Sequence, residues 1–153
     1  MIVQGQTAPD FTLPRDGGGF VTLSGLRPAK GVLLTYGGDG TPTCTNEVME
    51  FNALHDDFKA AGCVVLGVSK DSVKKHDKFI AKMGITLPLL SDDGGTMMQE
   101  WGAFGEKLFF GKLVQGVLRS TFLINAAGTL THVWKVDKVK GHAAEELAHV
   151  QKP

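Results

Sequence analysis

Residues 31–44 read GVLLTYGGDGTPTC, and their order decides the fold. Gly31 to Tyr36 is apolar with little alternation, the mark of a buried strand, and Gly37-Gly38-Asp39-Gly40 is a turn that ends it. Pro42 suits a first helical position, where its missing N–H would have no partner anyway. From Cys44 onward Val48, Phe51, Leu54 and Phe58 recur at helical spacing, so an amphipathic helix is expected over 43–61, stopped by Gly62. Strand, loop and helix together aim Cys44 at a helix N-terminus. A thiol placed there is expected to react rather than to pack.

The reacting form of sulfur is the thiolate, and a free thiol of pKa about 8.5 is only a few per cent ionised at neutral pH. Bringing the pKa near 6 needs roughly 3 kcal/mol of thiolate stabilisation, whereas a helix terminus supplies about 0.3–1 kcal/mol and at best about 2. A cation is therefore required. Residues 31–50 contain neither Lys nor Arg, so it has to come from a distant segment, and Arg119, at the head of the strand-like run Arg119-Ser120-Thr121-Phe122-Leu123-Ile124, is the candidate.

The rest of the chain continues an alternation of strands and helices. Strands are expected at Phe20 to Leu23, Cys63 to Ser69 and Leu87 to Leu90, and helices at 71–83 and 96–101. A loop follows, then strands over 119–125 and 129–136 joined by Ala-Ala-Gly, and a closing helix over 143–150. This pattern predicts an α/β fold with helices on both faces of a central sheet. At 153 residues and 42% hydrophobic content, one domain over 1–153 with a sizeable core is expected.

Composition excludes several classes of function. Lys plus Arg and Asp plus Glu balance at 16 each and no basic block appears, so nucleic acid is not an expected partner. The opening Met-Ile-Val-Gln-Gly has no charged leader followed by an apolar core, and no apolar run approaches a membrane span. Two cysteines in such a length form no disulfide framework, which favours a reducing cytoplasm. No Cys-x-x-Cys is present, against a disulfide isomerase. His55 lies eleven residues beyond Cys44, roughly 16 Å along a helix, too far to be its base. His132, His142 and His149 have no metal-ligand spacing with either cysteine, and no metal site is expected.

The residues resemble a peroxiredoxin, in particular the bacterioferritin-comigratory or PrxQ subgroup, over nearly the whole chain. Ala8-Pro9-Asp10-Phe11-Thr12-Leu13 is similar to the family's opening, and Thr41-Pro42-Thr43-Cys44-Thr45 with Glu47 to its peroxidatic centre. Leu66-Gly67-Val68-Ser69 with Asp71-Ser72, Leu87 to Asp92, Phe104-Gly105-Glu106-Lys107 and Arg119 to Ile124 follow in the family's order. The resemblance implies a thioredoxin-like fold with a mixed central sheet. It implies an enzyme, a thiol peroxidase that reduces hydrogen peroxide and alkyl hydroperoxides, with no cofactor. Cys44 would be the peroxidatic thiolate and Thr41 would orient the peroxide. Backbone N–H groups at Thr43 and Cys44 would donate to its oxygens, Arg119 would stabilise the developing charge, and Glu47 would hold the arginine.

Two positions depart from the family's pattern. Proline usually stands four residues before the active-site threonine, and Gly37 stands there, giving a looser wall beside the thiolate. The subgroup's resolving cysteine is absent as well: Met49 occupies the position five residues after Cys44, and residues 71–83 contain no cysteine. Cys63 would lie roughly 25 Å away along a continuous helix, whereas a disulfide needs Cα atoms within about 7 Å. Cys63 is therefore expected to be a buried hydrophobe, and the mechanism to use one cysteine with an external thiol such as thioredoxin, glutaredoxin or glutathione. The alternative is a peroxide sensor that passes its oxidation to a partner protein as a mixed disulfide. A monomer or weak dimer is expected.

Overall fold

The computed structural model describes residues 3–136 and 138–151. Met1 and Ile2, where the leader reading begins, lie outside them, as do Asp137, Lys152 and Pro153. Strands β1 (Thr12–Pro14) and β2 (Phe20–Thr22) form a small antiparallel pair, followed by a 3-10 turn over Leu23–Leu26. Then come β3 (Lys30–Thr35), α1 (Pro42–Ala53), α2 (His55–Ala60), β4 (Cys63–Ser69), α3 (Val73–Met83), β5 (Leu89–Ser91) and α4 (Thr96–Glu100). A hairpin of β6 (Phe104–Phe109) and β7 (Lys112–Val117) precedes β8 (Ser120–Ile124), β9 (Leu130–Lys135) and α5 (His142–Gln151).

The central sheet runs β5-β4-β3-β8-β9. β3, β4 and β5 are mutually parallel, while β8 pairs antiparallel with both β3 and β9, which makes the sheet mixed. Period-two alternation divides each strand between two cores. Val32, Leu34, Tyr36, Cys63, Val65 and Leu123 pack with Phe51, Phe58, Phe79 and Val150 of the helices on one face. Leu33, Leu66, Val68, Phe122 and Ile124 face the other way, against Met97, Met98, Trp101 and the N-terminal segment. Helices on both faces of a mixed α/β sheet agree with the sequence reading.

Two expectations need correction. The helix expected over 43–61 is two helices, broken at Leu54 (φ −101°, ψ 8°). No glycine or proline marks the break. Just before it, the Asn52 carboxamide is drawn into tertiary bonds, accepting from Thr86 N–H at 2.7 Å and donating to the Gly84 carbonyl at 3.4 Å. The segment read as a loop after Trp101 is the β6–β7 hairpin, whose Phe109↔Lys112 pairing leaves the two-residue turn Phe110-Gly111. Both turn residues have positive φ, 50° and 78°, as a type I′ turn requires.

Candidate active site

Sheet pairing brings the distant cation to the thiol. β8 runs antiparallel to β3 with Ser120 opposite Thr35, so Arg119 emerges beside the C-terminal end of β3, where the chain enters α1. The buried Thr35 hydroxyl fixes this crossing. It accepts from Ser120 N–H at 3.0 Å and donates to the Leu118 carbonyl at 3.1 Å. Cys44, on the first turn of α1, is 4% exposed. Arg119 Nη2 donates to its Sγ at 3.1 Å, and Nη1 donates to Glu47 Oε1 at 2.9 Å. Cys44 and Glu47 lie three positions apart on one helical face, so one guanidinium serves both in a fixed fork.

Thr41 is the N-cap residue of α1, yet its side chain makes no cap bond. Its hydroxyl donates instead to the Gly38 carbonyl at 3.0 Å. A threonine cap would ordinarily occupy an N–H in the helix's first turn; here Thr43 and Cys44 N–H stay uncapped by it and point out of a positive helix end, an arrangement suited to oxygen ligands. The residues from Thr41 to Cys44, Glu47 one turn further along α1 and the distant Arg119 therefore converge. A Cβ at Gly37 would stand 3.8 Å from Sγ, so residue 37 forms a wall over the sulfur that glycine leaves open.

Burial pushes the Cys44 thiol up, but hydrogen bonds from Thr41, the Gly38 N–H and Arg119, with the charge of Arg119, outweigh it and hold the pKa below its ordinary value. The Thr41 hydroxyl has a single proton to share between the Gly38 carbonyl and the thiolate. Glu47 is 1% exposed, and burial pushes it up to about 7 against the pull of Arg119. Cys63 is buried like Cys44 but differs in charge environment and position. Its pKa is pushed by burial up to about 12, and it pairs with Lys30 at the far end of β3. Seven strand residues at about 3.3 Å each place the two sulfurs' ends of the sheet roughly 20 Å apart, whether or not the helix between them is continuous.

A groove of about 450 Å³ opens beside this centre, lined by Gly37, Lys107, Val117, Leu118, Arg119 and Lys135. Lys70 and Phe104 line its continuation along the hairpin. Lys107 and Lys135 donate to the backbone carbonyls of Val117 and Gly102. Among the described residues, no carboxylate forms a salt bridge with Lys70, Lys107 or Lys135. The mouth of the site is therefore cationic with apolar walls.

Sequence reasoning missed a second cluster, Asp39, Asp71 and His76, directly behind the loop that precedes Thr41. Their ligand atoms lie within 4.8 Å of one another, close enough for a metal. The donor set does not fit one, because both His76 nitrogens and the carboxylate oxygens already hold protein partners. No spacing in the sequence links residues 39 and 76, and residues 37–40 read only as a turn.

The family model that matches residues 4–133 is that of the AhpC/TSA family. Peroxiredoxin Bcp of Xanthomonas campestris is 42% identical over 139 residues, covering 91% of this chain and 87% of its own. A solved structure of the bacterioferritin comigratory protein of the same organism, from work on its alkyl peroxide reduction activity, superposes with a TM-score of 0.87 at 40% identity, covering 92% and 90% of the two chains. A PrxQ mutant structure from Xylella fastidiosa gives a TM-score of 0.92 at 37% identity over 99% and 96%. The chain belongs to the AhpC/TSA family and within it to the peroxiredoxins of the Bcp or PrxQ kind. It is a thiol peroxidase with a thioredoxin-like fold.

Proposed function

We propose that Cys44 is the peroxidatic thiolate of this enzyme, acting on hydrogen peroxide and on alkyl hydroperoxides like those implied for the Xanthomonas protein. The observation that carries this is the 3.1 Å contact between Arg119 and Cys44 Sγ on the first turn of α1. The thiolate attacks the terminal oxygen of R–O–OH. An S–O bond forms as the O–O bond breaks, sulfur loses two electrons, and the departing alkoxide takes a proton to leave as alcohol, or as water when R is hydrogen. Arg119 and the N–H groups of Thr43 and Cys44 stabilise the charge spreading onto the peroxide oxygens, and Thr41 Oγ1 accepts the peroxide's proton-bearing end. Glu47 holds Arg119 in place.

The sulfenic acid then condenses with an external thiol, releasing water, and a second thiol frees Cys44 by disulfide exchange. The far position and raised pKa of Cys63 support this one-cysteine route. Of thioredoxin, glutaredoxin and glutathione, the cationic groove favours the small anionic thiol, glutathione, through charge complementarity. No helix among the described residues is long and apolar enough to cross a membrane, and a reducing cytoplasm is the compartment that supplies such thiols. The names of the relatives favour turnover over a sensor role. The test is peroxide consumption with excess glutathione: Cys44→Ser abolishes it and Cys63→Ser leaves it near wild type. Equal loss in both variants would refute the one-cysteine reading, and an undiminished rate with a neutral thiol of matched pKa would refute the electrostatic preference.

A further inference from the structure

Between β3 and α1 the stretch Gly37-Gly38-Asp39-Gly40 carries a single side chain, that of Asp39. Such a loop is entropically loose, yet it has to present Gly38 to both Thr41 and Cys44. Asp39 is 7% exposed, and its polar groups are engaged on every side. Tyr36 OH donates to Oδ1 at 2.6 Å, and the Asp39 backbone N–H donates to Asp71 Oδ2 at 2.7 Å. Oδ2 lies 2.7 Å from Nδ1 of His76, which is fully buried on α3. The other ring nitrogen, Nε2, lies 2.9 Å from the Leu90 carbonyl on β5. A carbonyl only accepts, so Nε2 carries a proton; an ionised carboxylate only accepts, so Nδ1 carries one too.

We infer that a buried ion pair between Asp39 and His76 positions the glycine loop against Cys44, which makes both of them positioning residues of the peroxidase site. The inference rests on Cys44 being the reacting thiol. A buried pair of this kind adds little stability over an apolar replacement; its contribution is a fixed place for a loop that glycine alone would leave free.

The surroundings keep His76 charged. Burial draws its pKa down, but Asp39, the Leu90 carbonyl and Asp71 more than offset this and leave it raised. Asp71 is itself held by Ser69 Oγ at 2.7 Å and Lys75 Nζ at 2.9 Å, and Tyr36, just past the end of β3, is the titratable group on the Asp39 side. From the N-terminal segment, Asp16 binds Leu89 N–H and Arg15, while Asp77 of α3 binds Gly17 N–H, so these charges are directed to partners other than His76. A histidine with a raised folded pKa contributes fully below its unfolded value of 6.5, and the contribution is lost as pH rises through the folded value. Deprotonation would set the Nδ1 lone pair against a carboxylate 2.7 Å away and release the loop.

Nitrogen NMR of the wild-type protein tests the charge state: His76 is doubly protonated at pH 7, and a neutral tautomer there overturns the inference. In the same protein, the peroxide rate per Cys44 thiolate falls as His76 titrates; a rate flat through that titration also overturns it. Asp39→Asn, His76→Gln and the charge-free double variant Asp39→Ala with His76→Leu are then compared in two reactions. One is peroxide reduction, and the other is alkylation of Cys44 by iodoacetamide, a neutral electrophile with no need of the peroxide contacts. Folded variants lose at least tenfold in the peroxide rate and less in alkylation, with a raised Cys44 pKa. Wild-type peroxide rate and thiol pKa in any folded variant would assign the pair to stability alone and sink the proposal. Peroxide consumption surviving in Cys44→Ser would instead locate the failure in the choice of thiol.

Discussion

At the residue scale the site is a problem in stabilising one negative charge. Burial opposes the Cys44 thiolate, and the groups that reverse this are the Thr41 hydroxyl, the Gly38 N–H and the Arg119 guanidinium. The guanidinium is the one full charge among them. Arg119→Ala should therefore raise the Cys44 pKa and slow peroxide reduction roughly a hundredfold, the scale on which loss of one preorganised donor is felt. Arg119→Lys should recover only part of the rate, because an ammonium cannot hold Glu47 and sulfur in one planar fork. A thiolate titration by ultraviolet absorbance and a stopped-flow peroxide rate check both; an unchanged titration in the alanine variant would mean that another group supplies the charge. Cys44 was legible in the sequence because proline, turn and strand flag a helix start within a few residues. Arg119 was legible as the missing cation, by energetic need rather than by spacing, and again through the resemblance to the family. Asp39 and His76 were not legible, since their contact depends on α3 lying back along the sheet, which no local pattern encodes.

Elements were read best where local chemistry and tertiary packing agree. β4 was expected at Cys63 to Ser69 and is found there, because a continuous apolar run in a central parallel strand has no other place to go. α3 is delimited by its own residues: Ser72 Oγ accepts from Lys75 N–H, and Gly84 closes the helix in the left-handed region at φ 68°. A Cβ at Gly84 would meet nothing within 4 Å, so Gly84→Ala probes backbone strain alone. The expected cost is about 1 kcal/mol, a fall of about 2–4 °C in Tm for a chain of this size. Thermal unfolding with an unchanged midpoint would show that the helix end relaxes without loss. The failures have equally physical causes. The β6–β7 turn places Phe110 at a position where asparagine, aspartate or glycine is the usual signal, so the segment carried no hairpin signal and read as a loop. The break at Leu54 follows bonds from Asn52 to residues more than thirty positions on, information absent from the helix's own periodicity.

On the scale of the whole molecule, the parallel register of β3 and β4 sets the two cysteines at opposite ends of the sheet, and this fixes the fate of oxidised Cys44. Without reductant, excess peroxide should convert the sulfenic acid to the sulfinic state rather than to an internal disulfide. Peptide mass mapping should show a gain of two oxygens on Cys44, suppressed by glutathione; a Cys44–Cys63 bridge as the main product would contradict the register argument. The sheet's helical face carries a second long-range consequence, at Glu146 on α5. This carboxyl is fully buried, and neither oxygen has a hydrogen-bond partner among the described residues. His142 Nε2 lies 3.4 Å from it but is directed to the Thr121 hydroxyl at 3.0 Å. Burial, with smaller contributions from Glu145 and Glu47, pushes the Glu146 pKa up to about 9 from 4.5. Below pH 4.5 both folded and unfolded chains hold this proton, and it does not affect stability. Between 4.5 and about 9 the unfolded chain has released it while the folded chain retains it, so the folded state binds more protons and stability falls as pH rises. By pH 8 the loss is on the order of 2 kcal/mol or more. Glu146→Gln removes the titration while keeping the volume. Its amide brings unmet hydrogen bonds of its own, a cost independent of pH, so the diagnostic quantity is the slope and not the absolute stability. Denaturant unfolding from pH 5 to pH 9 should give a clearly flatter profile for the variant than for the wild type. Parallel profiles would mean that Glu146 finds a partner or water in solution and ionises as an ordinary carboxylate.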